Sequence, residues 1–318
     1  MASSPPPADL SGLIWMRRDL VRDGITDREI WAFVKSGEWH RVRAGAYCLG
    51  SVWAQLSPTD RYRLLCRAVL MKAHPSTVLT HVSAAIERGA PAWGIPLDEV
   101  HTTRTDGRGG RREAGVIHHR NELPQEHVEE VNGVRVSVAA RCAVEVCATA
   151  GVEPALVTVN GLLHAGQTTL DDIRRLAHDT RFWPESLTTA LVLRLADPRL
   201  ESVGESRTWY FFFCHHLPRP EPQVVIRDEQ GREFARVDFA WEKLGCFLEF
   251  DGKVKYLALR RDGETLEEFL LREKRREEKI CLLTGWVCIR ITWADLENPE
   301  RLARRIRALL AGRSLRGA

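Results

Sequence analysis

Arg236-Val-Asp-Phe-Ala-Trp241, followed after a short turn by Cys246-Phe-Leu-Glu-Phe-Asp-Gly-Lys-Val-Lys-Tyr256, places acids inside segments that otherwise read as buried strands. Side chains alternate between the faces of a strand, so Glu249 and Asp251 are expected to point the same way, and hairpin pairing brings Asp238 beside them. Val237, Phe239, Phe247, Leu248 and Phe250 make both faces apolar, the pattern of a central strand. An unpaired carboxylate there costs on the order of several kcal/mol. Such clustered charge calls for compensation. A hard divalent cation with oxygen ligands supplies it, and a nearby lysine would complete a site for cleaving a phosphodiester.

The rest of the chain bounds that reading. Its 318 residues suffice for about two or three domains, and 44% hydrophobic content supports real cores. Lys and Arg number 46 against 43 Asp and Glu, a net charge of +3, so an anionic partner must be met by local patches. The eight cysteines show no Cys-x-x-Cys pairing and lie mostly in apolar runs, as thiols do in a reducing compartment, so neither a disulfide framework nor a zinc site is expected. No apolar run approaches the roughly 18 residues of a membrane span. The leader Met1-Ala-Ser-Ser-Pro-Pro-Pro7 lacks the apolar centre of a signal peptide. These features predict a soluble cytoplasmic protein without a membrane partner.

From about Leu10 to Gly50 the pattern is a small helical unit closed by a hairpin. Thr26-Asp-Arg-Glu29 is a capping box, Ile30, Phe33 and Val34 share a helical face, and Ser36-Gly37 ends the helix. In Glu38 to Leu49, Trp39, Arg41 and Arg43 alternate with His40 and Val42, and Ala44-Gly45 supplies the turn. Helix, helix and hairpin make a winged helix-turn-helix. Arg28 and Lys35 on its second helix, with Arg41 and Arg43 on the wing, suit a major-groove helix and a phosphate contact; a solvated charged face accounts for them equally well.

The middle region reads as mixed. Helices are expected over Leu64 to Lys72, from Thr80 through Ile86 to a stop at Gly94-Ile-Pro96, over Val138 to Ala150 and Pro154 to His164, and from Thr169 onward. Glu99 to Thr103, Gly115 to His119 and Val134 to Ser137 have strand composition. The basic, glycine-rich loop Arg104 to Arg112 could lie along a nucleic-acid backbone, although a solvated loop is the simpler reading. His118-His119 has no acid or cysteine nearby at metal-ligand spacing and is given no chemistry.

After about Trp183 the order is helix, helix, three strands, helix, strand, helix, an α/β layered sheet in a chain that is mixed α+β overall. The words Val237-Asp-Phe239, Glu249-Phe-Asp-Gly-Lys-Val-Lys-Tyr256, Glu273-Lys-Arg-Arg-Glu277, Gly285-Trp286 and Arg290-Ile-Thr-Trp-Ala-Asp295 give this part its character. It resembles the PD-(D/E)XK nuclease superfamily, in the branch of the very-short-patch-repair endonucleases and a related family of unassigned function. The N-terminal segment, through Ile25-Thr26, Ser36-Gly37, Arg41-Val42 and Gly45-Ala46-Tyr47, resembles the winged-helix domain of AbiEi-type antitoxins. Together these imply three segments: 1–55 a winged helix-turn-helix, 56–180 a mixed middle, and 181–318 a restriction-endonuclease-like mixed sheet flanked by helices.

The nuclease resemblance implies Asp238 and Glu249 as ligands of Mg²⁺ or Mn²⁺ and Glu205 as an auxiliary acid. The superfamily's acid-x-Lys element reads Glu249-Phe-Asp251 here, so Asp251 occupies the usual lysine position and is read as helping to orient a metal-bound water. The lysine's role passes to Lys253, Lys255 or Lys274. Lys274, Arg275 and Arg276 are candidates for gripping the DNA backbone, with Arg290 the weakest; a solvated helix face is the competing reading. The expected function is metal-dependent DNA endonuclease activity in repair or defence, the alternative a non-cleaving DNA-binding regulator or antitoxin-like protein. Cutting both strands with one site needs a homodimer or two successive events, and no heptad seam announces pairing.

Overall fold

The computed structural model describes residues 9–10, 12–252 and 263–314. Among these the chain is mixed α/β, with thirteen helices and three sheets. Strand β1 (Trp15–Met16) runs into α1 (Arg17–Arg22), and α2 (Asp27–Ser36) follows. The expected capping box closes α2: the Thr26 hydroxyl accepts from Glu29 N at 3.3 Å, and the Glu29 carboxylate accepts from Thr26 N at 2.8 Å. Gly37 ends the helix at φ +81°, a conformation that costs a glycine little. β2 (Trp39–Arg43) and β3 (Ala46–Leu49) form the wing hairpin, and β1 joins it in the order β1-β3-β2. Leu20, Ile30, Trp39 and Tyr47 form the core beneath. Trp39 is therefore buried, and a register shift between Arg41 and Arg43 breaks the simple alternation expected of the wing.

Helices α3 (Gly50–Gln55) and α4 (Pro58–Leu70) come next. α4 begins earlier than its apolar periodicity predicts, because Ser57 caps it and Pro58 fits the first turn. Leu64 packs with Leu10 and Cys48, and Ala68 with Met16 and Ala46, so α4 shares the core of the N-terminal sheet. Then follow β4 (Thr77–Leu79), α5 (His81–Glu87), β5 (Val100–Arg104), β6 (Arg111–Glu113), β7 (Val116–His119), β8 (Val128–Val131), β9 (Val134–Ser137), α6 (Ala139–Cys147), α7 (Val152–His164), α8 (Leu170–Asp179) and α9 (Ser186–Leu195). The six strands form one sheet in the order β6-β7-β5-β4-β9-β8. α5 stops well before Gly94, at a turn where Gly89 takes φ +78°. β4, β6 and β8 were not expected from the sequence: β4 has only three residues, and Arg111-Arg112-Glu113 and Val128-Glu-Glu-Val131 are too charged to show apolar alternation.

The last elements are α10 (Val203–Cys214), β10 (Glu221–Arg227), β11 (Glu233–Trp241), β12 (Cys246–Asp251), α11 (Leu266–Thr284), β13 (Val287–Thr292), α12 (Trp293–Leu296) and α13 (Pro299–Ser314). The sheet runs β10-β11-β12-β13; the first three strands are antiparallel neighbours and β13 is parallel to β12. Its two faces are clothed differently. Phe239 meets Trp209 and Phe212 of α10, while Ala240 and Phe247, on the other face, pack with Ile280 of α11. α10 lies so close that a Cβ at Gly204 would sit 2.2 Å from Phe250 Cε1.

By its contacts the chain divides into two compact units. One holds Leu195–Ala318 with Leu163–Ala165; the other holds Ser4–Leu162 and Gly166–Arg194. The core that α4 shares with the N-terminal sheet explains why no division falls at 55/56. All eight cysteines are free thiols, five of them buried. No helix among the described residues is long and apolar enough to cross a membrane.

Candidate active site

Strands β11 and β12 pair Phe239 with Leu248 and Ala240 with Phe247. The pairing ends there; beyond it Asp238 lies close enough to Glu249 for its charge to act on that carboxyl, and Asp251 and Glu249 both approach Arg290. Asp238 Oδ2 accepts a hydrogen bond from Phe250 N at 2.8 Å, so this carboxylate also holds the backbone of β12. Glu249 is 11% exposed and meets cations from two directions. Arg276, projecting from α11, donates to its Oε1 at 2.6 Å. Arg290, opposite Glu249 in the parallel β12–β13 register, lies 3.5 Å from Oε2. Arg290 also pairs with Glu277 at 2.5 Å and approaches Asp251 at 3.8 Å, and Arg276 pairs with Glu273 at 3.0 Å.

These contacts change the charge argument. The sequence pattern called for a cation to compensate buried acid, and two guanidiniums do this for Glu249. Compensation is incomplete: burial pushes the Glu249 carboxyl above its usual range, Arg276 and Arg290 pull it back, and the neighbouring Asp238 charge adds to the rise. Sequence reasoning missed this pairing because the partners lie 27 and 41 positions further along the chain.

The remaining candidates separate. Glu205 stands on α10, against the opposite sheet face, and closes that helix's N-terminus. Its oxygens accept from Ser202 Oγ at 2.6 Å, Glu201 N at 3.0 Å and Gln223 Nε2 at 2.7 Å, bonds that anchor the start of the helix. Lys253 and Lys255 lie outside the described residues. Lys274 and Arg275 are exposed on α11, whereas Arg276 turns inward to Glu249 instead of outward as a backbone grip would require. On the winged element Arg28, Lys35 and Arg41 are exposed and Arg43 is half-buried. Lys35 Nζ sits 4.8 Å from the ring centre of Trp31, which is 61% exposed.

Asp238 and Glu249 suit a hard cation in donor type, carboxylate oxygens presented by adjacent strands on one face. The full three-acid set is not closed on one point. Among the described residues, the ligand atoms gathered within 4.8 Å around Glu249 are those of Glu277 and Cys288. An ion at Asp238 and Glu249 therefore requires Arg276 to leave Glu249 Oε1. No protein-family model matches the chain, and no curated protein is significantly similar to it.

Proposed function

We propose that the C-terminal unit is a metal-dependent DNA endonuclease and that the winged element presents the duplex to it. The observation that carries this reading is the closeness of two acids at the end of the β11–β12 pairing: Asp238 accepts from Phe250 N at 2.8 Å, and its charge helps burial keep the neighbouring Glu249 carboxyl above its ordinary range. Two like acids held side by side favour a bridging cation. Asp238 and Glu249 would hold Mg²⁺ or Mn²⁺, which when bound lowers the pKa of a water and neutralises charge on phosphate.

The chain's own groups then have defined tasks. Asp238 holds β12 through Phe250 N, keeping the two carboxylates in register. Arg276, released from Glu249, becomes a bidentate donor for a phosphate oxygen, a task that a planar guanidinium performs well. Arg290 stays with Glu277 and limits the movement of Asp251. Exposed Arg28, Lys35 and Arg41 supply phosphate contacts on the winged element.

Purified full chain offered supercoiled plasmid with Mg²⁺ tests the reading. Metal-dependent nicking that disappears in Asp238→Asn and in Glu249→Gln is the expected result. Nicking that persists unchanged in both variants, or DNA binding with no cleavage in either metal, overturns it. The second outcome is the signature of a non-cleaving DNA-binding regulator, which the Arg276–Glu249 pair favours because it neutralises the acid without any ion.

A further inference from the structure

His81, His101 and His119 come together in the six-stranded sheet, in the other compact unit from the acids above. One ring nitrogen from each lies within 4.8 Å of the others. Three elements deliver them. Parallel pairing of β5 with β7 matches His101 with Ile117 and Thr103 with His119, so the two histidines are diagonal neighbours on one face. His81 opens α5 directly after β4, where Thr80 N donates to His101 O at 3.1 Å. The sequence dismissed His119 because its partners stand 38 and 18 positions earlier, far from the usual short ligand spacings.

The local architecture brings the ring nitrogens close and holds His81 from behind. His101 Nδ1 and His119 Nε2 are 3.0 Å apart. Tetrahedral Zn²⁺ with Zn–N bonds of about 2.0–2.1 Å separates its nitrogens by roughly 3.3 Å, so this pair needs little adjustment. His81 Nδ1 is 3.0 Å from Thr80 Oγ1, and that hydroxyl is 3.0 Å from Thr103 Oγ1. Nε2 is thereby the nitrogen His81 presents, and a hydrogen-bond partner behind the ring is what orients a metal-bound imidazole. His81 is 2% exposed and adopts φ +54°, an uncommon backbone for a residue with a Cβ, which its N–H to Glu145 Oε2 at 3.1 Å helps to hold.

A packed aromatic cluster would explain the stacking of His81 on His119, with ring centres 3.6 Å apart. It would not call for three rings that bring nitrogens together, a task Phe or Tyr cannot do. We propose that His81, His101 and His119 form a three-histidine site for a divalent transition metal, Zn²⁺ or an ion of similar softness. Imidazole ligands without a carboxylate select against Mg²⁺ and Ca²⁺. Closing on the ion opens the stack by rotation about χ2, a soft torsion for histidine. Three protein ligands leave the fourth tetrahedral position to solvent or a small anion, and His101 and His119 are only partly buried.

Chelator-treated full chain titrated with Co²⁺, a spectroscopic stand-in for Zn²⁺, tests the site. One equivalent should develop the visible absorption of tetrahedral Co²⁺, and Zn²⁺ should bleach it. His101→Asn and His119→Asn should each weaken binding by more than about 100-fold, beyond the range set by groups that merely orient a ligand. His118→Asn and Cys288→Ser should leave it unchanged, the latter because Glu249, Glu277 and Cys288 form a separate group. Zinc-edge X-ray absorption on the unsubstituted protein gives a reading independent of variant folding: an imidazole shell without sulfur is expected. Absence of a stoichiometric band, a band retained in both asparagine variants or lost in Cys288→Ser, or a sulfur shell at the edge each overturns the proposal.

Discussion

Replacing Arg276 with methionine isolates the interaction on which the candidate site turns. Removing one member of a fully buried ion pair costs about 3–5 kcal/mol. Arg276 is 27% exposed and Arg290 remains near the other Glu249 oxygen, so the expected loss is about 2 kcal/mol at neutral pH. For a unit of this size that lowers its melting temperature by roughly 8 °C. The loss must depend on pH. Glu249 already has a carboxyl raised above its unfolded range, chiefly by burial, and its contribution to stability is full below the unfolded value and falls as pH rises through the folded one. Without Arg276 the folded value rises further, so the penalty should grow above about pH 4.3, the ordinary glutamate value, and vanish where Glu249 is protonated in both states. Adding Glu249→Gln should restore most of the loss, because an amide needs no cation. Scanning calorimetry of the four proteins of this double-mutant cycle at mildly acidic and mildly alkaline pH measures all of this. A loss that is equal at both pH values, or that Glu249→Gln fails to restore, refutes the claim that Arg276 compensates a buried carboxylate.

Four further outcomes follow from the packing and the exposed charges. Gly204→Ala should destabilise the C-terminal unit by about 1–3 kcal/mol, since the added Cβ meets the Phe250 ring, and denaturant unfolding should register a lower midpoint; an unchanged midpoint would show that α10 can move away. Glu87→Ala removes the buried acid shared by Arg63, which is 2% exposed and donates to Glu87 Oε1 at 2.9 Å, and Arg67; Arg63 keeps Asp60 at 3.1 Å, so the expected cost is about 3 kcal/mol in thermal unfolding, and a loss under about 1 kcal/mol would show the acid to be dispensable. Thr26→Ala removes the capping box of α2 and should cost about 1 kcal/mol by circular-dichroism melting, with Thr26→Ser close to neutral; equal losses would deny the hydroxyl its role. Lys35→Ala should weaken DNA binding evenly across sequences and reduce the slope of log affinity against log salt by about 1, measured by fluorescence anisotropy; an unchanged slope would remove α2 from the interface.

Helix ends and long strands were legible in the chain. Thr26 and Glu29 announce α2, and the apolar residues around Asp238 and Glu249 announce central strands, because capping and alternation are local in sequence. The short strands β4, β6 and β8 were not legible: distant pairing with β5 and β9 defines β4, while β6 and β8 are edge strands of tight hairpins whose charged residues carry no apolar alternation. Candidate side chains divide in the same way. Glu205 reads as an auxiliary acid by resemblance, while its bonds to Ser202 Oγ and Glu201 N, which steady the start of α10, belong to the capping geometry around Ser202.

That acids enter a buried sheet was written in the chain, because apolar flanks and strand alternation are properties of neighbouring residues. Tertiary structure alone decided what those acids meet. Arg276 reaches Glu249 only because α11 crosses back over the sheet, and His81 and His101 reach His119 only because β4, β5 and β7 lie side by side. Electrostatics and ligand geometry act over a few ångströms of space however many residues separate the partners, and chain folding fixes which distant residues share that space.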